Sequence, residues 1–330
     1  MTTDVRISTT LGRSGLEVTK IAFGTWQLGG DWGSFEERDA IEAIQHARRL
    51  GIKFFDSAQA YGFGASERLL ARALGDELRA NRDELVIATK GGLRIDESEG
   101  LVRDSSPDWL RSGVDASLEA LGVEQIDLYQ IHWPDPKTPF AETAGAVGEL
   151  LEAGKIAHVG VSNFDAAQIE EFSKTLPVET AQPPYHLFRR DIEEELLPYC
   201  AKNDIGVLIY GPLAHGLLTG AITEDTQLGD DDWRSKTDLF QGEKRRRNLE
   251  VVRRLDHFAG RRDCTLSQLA IAWTLANDAV HVTIVGTRND RHIEEALGAA
   301  DIELSDDELA QIDRIMEDAV EARGPTPETV

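Results

Sequence analysis

Eight short β-rich runs alternate with longer amphipathic segments along this chain, and that alternation constrains its fold more than any other feature. The runs fall at 21–23, 54–56, 85–89, 126–131, 157–161, 179–182, 207–210 and 282–285. Between them, apolar residues recur at helical spacing over 36–50, 67–74, 107–121, 140–153, 166–173 and 191–203, with a long helical stretch at 243–277. Strands separated by helices call for a parallel sheet, since each crossover returns the chain to the end it left. Two architectures meet that demand, a closed (β/α)8 barrel and an open doubly wound sheet. An open sheet that binds a dinucleotide carries GxGxxG directly after its first strand. Here that strand is followed by Gly24-Thr25-Trp26-Gln27-Leu28-Gly29-Gly30, which lacks the spacing. Gly12 and Gly15 precede it, between short runs at 5–9 and 17–20, and read as the turn of a hairpin. The expected fold is therefore α/β: a (β/α)8 TIM barrel with an N-terminal β-hairpin. An extra C-terminal helix is expected over 305–320, where Ser305 and Glu308 stand at capping-box spacing.

A chain of 330 residues suits one such barrel. The whole of 1–330 is expected to form a single domain, with the hairpin at 1–20, an active-site or cofactor loop at 218–242 and a loose tail at 323–330. Ser106-Pro107 marks a helix start, and Gly51, Gly122 and Gly154 each follow a helical run where a left-handed residue is wanted. The formal net charge of -24 argues against a nucleic-acid partner, which needs clustered cations. The one basic run, 244–247, lies between Glu243 and Glu250 and reads as a solvated helix face. The N-terminus lacks the apolar core of a secretory signal, and no apolar run reaches the ~18 residues of a membrane span. Cys200 and Cys264 form no CxxC pattern, so neither a disulfide framework nor a structural zinc site is expected, and a cytoplasmic location fits. The HxH pair that a metal-dependent barrel hydrolase places at strand ends is absent. Arginine outnumbers lysine amid abundant acids, a pattern shared by salt-adapted hosts and biased genomes.

A barrel builds its site at the C-terminal ends of its strands. Asp56, Lys90, His132, Ser162-Asn163, Gln182 and Tyr210 end the second to seventh runs, and Gly286-Thr287-Arg288 follows the eighth. Taken singly these residues have bland readings: a helix cap for Asp56, a solvated Lys90, a packed His132, a core-capping Tyr61. At consecutive strand ends they suit carbonyl reduction, which needs a hydride on carbon and a proton on oxygen. Tyrosine is a poor acid in water, with a pKa of about 10. A lysine beside it stabilises the phenolate, a carboxylate holds the lysine, and a histidine orients the substrate oxygen. Tyr61 is then the acid, Lys90 its tuner, Asp56 the anchor and His132 the orienter.

Phe55-Asp56-Ser57-Ala58-Gln59-Ala60-Tyr61-Gly62, with Ser66-Glu67 after it, resembles the aldo-keto reductase signature. So do Thr89-Lys90-Gly91, Asp127-Leu128-Tyr129-Gln130-Ile131-His132-Trp133 and Gly160-Val161-Ser162-Asn163-Phe164. Gln182-Pro183-Pro184-Tyr185, Tyr210-Gly211-Pro212-Leu213 and Gly216-Leu217-Leu218-Thr219-Gly220 continue the match in order, over nearly the whole chain. The resemblance is to bacterial aldo-keto reductases and the related potassium-channel β-subunits. It implies NADPH or NADP+ bound extended across the barrel mouth, with NADH as a secondary cofactor. Ser162, Asn163 and Gln182 match positions that hold the nicotinamide carboxamide, and Tyr210 the residue that stacks on the ring. Gly24, Thr25, Trp26 and Asp56 are further positions implied to contact the cofactor. Gly211, Pro212, Leu213, Gly216, Leu217 and Gly220 would run beside the pyrophosphate. Many members carry Lys-Ser after the last strand and an Arg followed by Glu-Asn; this chain has Gly286-Thr287 for the first pair, His292 for the Arg and Glu295-Ala296 for the second pair. Arg288 remains for the 2′-phosphate, with Thr287 as a hydroxyl donor and His292 stacking on adenine. Trp26, Trp32, Phe63, Trp133 and Phe240 are the aromatic candidates for the substrate pocket, with Asp31, Arg94 and Asp135 as polar ones. The implied activity is reversible NADP(H)-dependent reduction of aldehydes and ketones. The alternative is a slow or non-catalytic NADP(H)-binding regulatory subunit.

Overall fold

The computed structural model describes residues 8–29, 35–229 and 232–322. The start of the expected hairpin at 5–7 and the tail at 323–330 lie outside the described residues. Eight parallel strands close into a barrel in the order β3 (Ile21–Gly24), β4 (Phe54–Asp56), β5 (Val86–Gly91), β8 (Ile126–Ile131), β9 (Ile156–Ser162), β10 (Thr180–Gln182), β11 (Gly206–Tyr210) and β12 (Val282–Gly286), with β12 pairing back onto β3. All eight expected runs are strands. The closure is the barrel expected from the alternation, and it leaves the eight-stranded sheet without a free edge.

Strand alternation gives the barrel two apolar layers. Inside lies a floor of Ala22, Phe54, Val86, Ala88, Leu128, Leu208, Val282 and Ile284. The hairpin β1 (Ser8–Thr10) and β2 (Glu17–Thr19) plugs this floor from below with Leu11 and Val18. Gly12 in its turn sits so tightly on β11 that a Cβ would come within 2.3 Å of Gly206 N. Outside, Ile87, Tyr129, Val159 and Val161 meet the helices. Burying a side chain such as Phe54 or Leu128 contributes about 1.5–3 kcal/mol each. One step further along the same interior faces the chemistry changes. Asp56 follows Phe54, Lys90 follows Ala88 and Gln130 follows Leu128, each two residues on. The barrel is thus apolar at its floor and polar at its mouth.

The surrounding helices begin and end largely where the local signals put them. α1 spans Glu37–Arg49, α3 starts at Pro107 behind Ser106 and runs to Leu121, α4 is Phe140–Glu152 and α5 is Ala166–Ser173. Gly122 closes α3 at φ 66°, the left-handed C′ geometry that lets its N–H reach back to the last turn. α2 runs over Ala65–Ala80, longer than the expected 67–74, because Leu78 continues its buried face past Gly75. The stretch at 191–203 divides into a 3-10 turn, Asp191–Glu193, and α6 (Leu196–Lys202). Pro198 has no N–H to give, so it is tolerated only in a first turn, and the helix starts two residues before it. The stretch at 243–277 also divides, into α7 (Gly242–Arg261) and α8 (Leu266–Leu275), where Thr265 and Gln268 form a capping box. The periodicity left three elements unassigned: the hairpin β6 (Leu93–Asp96) and β7 (Gly100–Arg103), and α9 (Asp290–Gly298) after the last strand. The C-terminal helix α10 covers Asp306–Met316, and Glu308 accepts from the Ser305 N–H at 2.9 Å. Among the described residues no helix is long and apolar enough to cross a membrane.

Candidate active site

Four of the expected residues meet at the barrel mouth. Lys90 and Asp56 are both buried, and the Lys90 ammonium lies 2.6 Å from Asp56 Oδ1. It also donates to the Ser57 carbonyl at 2.9 Å and to Tyr61 Oη at 3.4 Å. All three of its protons are thereby directed. Asp56 Oδ2 accepts from Gln182 Nε2 at 2.9 Å and Gln130 Nε2 at 3.2 Å. A buried ion pair is tolerable only when its remaining lone pairs and protons are met in this way. Gln130 was quoted in the sequence only as part of a motif. Its role follows from register, since it pairs with Lys90 across β5 and β8 and faces the same interior.

Tyr61 sits in the loop between β4 and α2, its ring under the Lys90 ammonium at 5.1 Å. His132 follows β8, anchored by its backbone N–H on the Gly91 carbonyl at 2.9 Å. Its ring stands edge-on to Tyr61, with centroids 5.7 Å apart. On the other side Trp26 lies 6.4 Å from Tyr61 and 6.5 Å from Trp233. His215 meets Trp233 edge-on at 4.7 Å. Behind it lies His186, whose ionisation burial pushes well below the ordinary histidine range. One aromatic wall therefore runs from His132 to His215. Trp233 and His215 were missed by sequence reasoning, although Trp233 falls inside the 218–242 segment read as functional.

A cleft of about 640 Å³ opens along this wall. It begins at Asp56, Tyr61, Gln182 and Tyr210, passes Gly211, Pro212, Leu213 and Gly216, and ends at Thr287, Arg288, His292, Glu295 and Ala296. Gly24, Thr25, Trp26 and Gly286 form its other side. Gly24 and Gly286 are register partners on β3 and β12. A Cβ at Gly286 would run into the Gln27 amide at 1.9 Å, and one at Gly24 into Ile284 Cγ2 at 2.7 Å. Ser162, Asn163, Leu217 and Gly220 do not line the cleft. Asn163 acts one step back: it takes the left-handed φ of 61°, and its Oδ1 accepts from the Tyr210 hydroxyl at 2.8 Å. Its Nδ2 donates to Ser162 Oγ at 3.1 Å and to the His132 carbonyl at 3.0 Å. Leu217 is buried in the helix-facing apolar layer.

At the far end Arg288 donates through Nε and Nη2 to the Gln27 carbonyl, at 3.0 and 2.6 Å, and lies over the Phe35 ring at 4.7 Å. Thr287 Oγ1 stands 3.3 Å from His292 Nδ1. Gln27 and Arg234 are further wall residues to which the sequence reading gave no role. Arg234 pairs with Asp232 at 2.7 Å and donates to the His215 carbonyl at 3.2 Å, which ties the 218–242 segment to the cleft.

The remaining substrate-pocket candidates divide. Trp26 is on the wall, and Trp32 and Asp31 lie outside the described residues. Phe63 is exposed. Trp133 stacks under the Arg103 guanidinium at 4.8 Å. Phe240 is turned into the apolar layer beneath the helices, away from the cleft wall. Arg94 pairs with Asp96 and Asp104 within its own hairpin and the loop after it. Asp135 is a buried loop anchor that accepts from Ser105 N, Lys137 N and Thr138 Oγ1.

With this geometry in place, comparison with known proteins is decisive. The sequence profile described as Aldo/keto reductase family matches residues 20–317. The chain belongs to the aldo/keto reductase family. It is 37% identical to aldo-keto reductase YhdN of Bacillus subtilis (strain 168), over 94% of each chain. It is 34% identical to the NADH-specific methylglyoxal reductase of Escherichia coli (strain K12), over 94% of this chain and 98% of that one. The solved structure of the glycerol dehydrogenase AKR11B4 from Gluconobacter oxydans superposes with a TM-score of 0.88 at 34% identity, over 99% of each chain. An aldo/keto reductase is an oxidoreductase that uses a nicotinamide cofactor, and the cleft suits one: it is long, it has glycines where a backbone approach is close, and it has an arginine at one end.

Proposed function

We propose that this chain reversibly reduces aldehydes and ketones to alcohols, with NADPH preferred, NADH as a secondary cofactor and Tyr61 as the general acid. The observation that carries the reading is the Lys90 ammonium, held by Asp56 and directed at Tyr61 Oη. When bound, the nicotinamide supplies the hydride. Tyr61 supplies the proton to the carbonyl oxygen, and the adjacent cation stabilises the phenolate that remains. Asp56 holds that cation in place and is itself fixed by Gln130 and Gln182. His132, edge-on to Tyr61, orients the substrate oxygen. Trp26, packed between Tyr61 and Trp233, would shield the mouth from water, which would strengthen each of these interactions. Gln182 and Tyr210 would hold the nicotinamide end, with Asn163 fixing Tyr210 from behind, and Arg288 with Thr287 the adenosine phosphate.

The names of the relatives, methylglyoxal reductase and glycerol dehydrogenase, make short oxygenated carbonyls and polyols the first members of an assay panel. Wild type and Tyr61→Phe should be compared across that panel with both nucleotides. Loss of a positioned general acid costs roughly 10²–10⁴-fold in turnover. Full turnover by Tyr61→Phe would overturn the assignment.

A further inference from the structure

On the outer side of the same strands lies a polar cluster that the reaction leaves unused. Glu67, in the first turn of α2, is fully buried. Its Oε1 accepts from the Thr89 hydroxyl at 2.6 Å. Thr89 precedes Lys90 on β5, so alternation sends Lys90 into the barrel and Thr89 toward the helices. Tyr129 is the register partner of Thr89 and faces the same layer. Its buried hydroxyl crosses Gly91, where a Cβ would meet it at 1.9 Å. From α3, Ser117 faces the Glu67 carboxyl. One turn earlier Gly113 makes room for Gln59, whose Oε1 would lie 3.0 Å from a Cβ there.

Glu67 Oε2, Tyr129 Oη, Ser117 Oγ and Gln59 Oε1 are all buried, and apart from the Ser117 hydroxyl facing the Glu67 carboxyl none of them has a partner to bond. The charged and titratable groups facing Glu67 are Lys90 from β5, Tyr129 from β8 and Arg68 from its own helix. Lys90 has its three protons directed to Asp56, Ser57 and Tyr61, so none is left for Glu67. A carboxylate here would be a fully buried anion faced by hydroxyl donors, with no bonded cation, an expensive state. Protonation removes the charge, which neutral hydroxyl donors alone would have to carry. Burial accordingly pushes the Glu67 carboxyl above the ordinary range.

We propose that Glu67 stands in the folded protein as a neutral carboxylic acid, sharing its proton with this buried cluster, and that it positions Lys90 and Tyr61 from behind. The link forward runs through β5: Thr89, which donates to Glu67, precedes Lys90, whose carbonyl accepts from the Gln59 N–H at 2.9 Å, and the Gln59 carbonyl closes the Tyr61 loop by accepting from Gly64 N at 3.0 Å. A second carboxylate charge behind Lys90 would oppose the phenolate, so neutrality keeps the cation matched by Asp56 alone. The positioning half rests on the roles proposed above for Lys90 and Tyr61; the neutral carboxyl does not.

Glu67→Gln tests both halves, since it keeps the shape and a donor and cannot ionise. In the wild type a neutral Glu67 binds a proton in the fold that the unfolded chain releases above about pH 4.3, so its share of stability falls as pH rises. The melting temperature of Glu67→Gln minus that of wild type should therefore increase from about pH 5 to about pH 8. A gap that stays constant or shrinks would overturn the neutral carboxyl, and this readout needs no activity. For positioning, Glu67→Gln should keep kcat within about fivefold, the factor that ~1 kcal/mol in a neutral hydrogen bond represents. It should also leave the pH profile of kcat unmoved. Glu67→Ala should lower kcat well beyond that while KM changes little; should it fail to fold, the displaced pH profile of Gln59→Ala serves instead. A shifted profile in Glu67→Gln, or unchanged kcat in the folded alanine variants, would overturn the positioning role.

Discussion

Asp56 and Lys90 illustrate how much a single residue depends on its neighbours. Their pair is buried, and its tolerability rests on Ser57, Tyr61, Gln130 and Gln182. Removing one partner of such a pair typically costs about 3–5 kcal/mol, because the other charge is stranded. Arg288 is a gentler case. Its guanidinium is held flat by the Gln27 carbonyl and the Phe35 ring, so it meets a phosphate with little entropy left to lose. Arg288→Ala should raise KM for NADPH about tenfold or more, given the ~1.5–3 kcal/mol of a charged hydrogen bond, and change KM for NADH little. Steady-state kinetics with both nucleotides decides this. Equal losses would remove Arg288 from the 2′-phosphate.

At the scale of elements, β5 and β8 carry Lys90 and Gln130, with His132 directly after β8, and their spacing is set from behind. Tyr129 on β8 lays its hydroxyl across Gly91 on β5, and the His132 N–H bonds the Gly91 carbonyl. Gly91→Ala forces a methyl group into that hydroxyl. Overpacking of this kind costs about 1–3 kcal/mol, and the displaced strand carries Lys90 with it. Both melting temperature and kcat should fall, and adding Tyr129→Phe should recover part of the loss by removing the struck atom. If calorimetry finds Gly91→Ala as stable as wild type, the close approach is not a constraint. The helices show the complementary lesson. Starts and stops with a local chemical cause, such as Ser106-Pro107, Gly122 and Ser305 with Glu308, were legible in advance. The breaks inside 191–203 and 243–277 were not read, although Pro198 and the Thr265–Gln268 pair mark them. Apolar spacing continues across both breaks, so periodicity alone passes over them.

The whole molecule carries a net charge of -24, and that sets its response to salt. Surface pairs such as Arg254 with Asp318 and Arg111 with Glu149 weaken when screened. Each is worth little, whereas self-repulsion acts among all the unmatched acids. Relief of repulsion should win, and the melting temperature should rise by several degrees between about 0.1 M and about 1 M potassium chloride. A flat or falling curve would show that the charge excess is already neutralised locally.

Period and spacing were enough to determine the eight strands, their parallel arrangement and the polar residues that end them. Those signals are local: alternation, helix caps and motif order need no knowledge of what lies across the barrel. Closure decided the rest. Gln27 and Arg288 are joined although 261 positions apart, and Asp56 and Gln182 although 126 apart. Trp26, Trp233 and His215 became one wall because the last long loop folds back over the first strand. Phe240, equally aromatic and in the same loop, turned into the core. Neither outcome is written in the period of any segment, because both depend on which side chains the tilt and register of a closed sheet bring within contact. The same holds for Glu67, whose burial behind Lys90 is a consequence of two strands and two helices meeting.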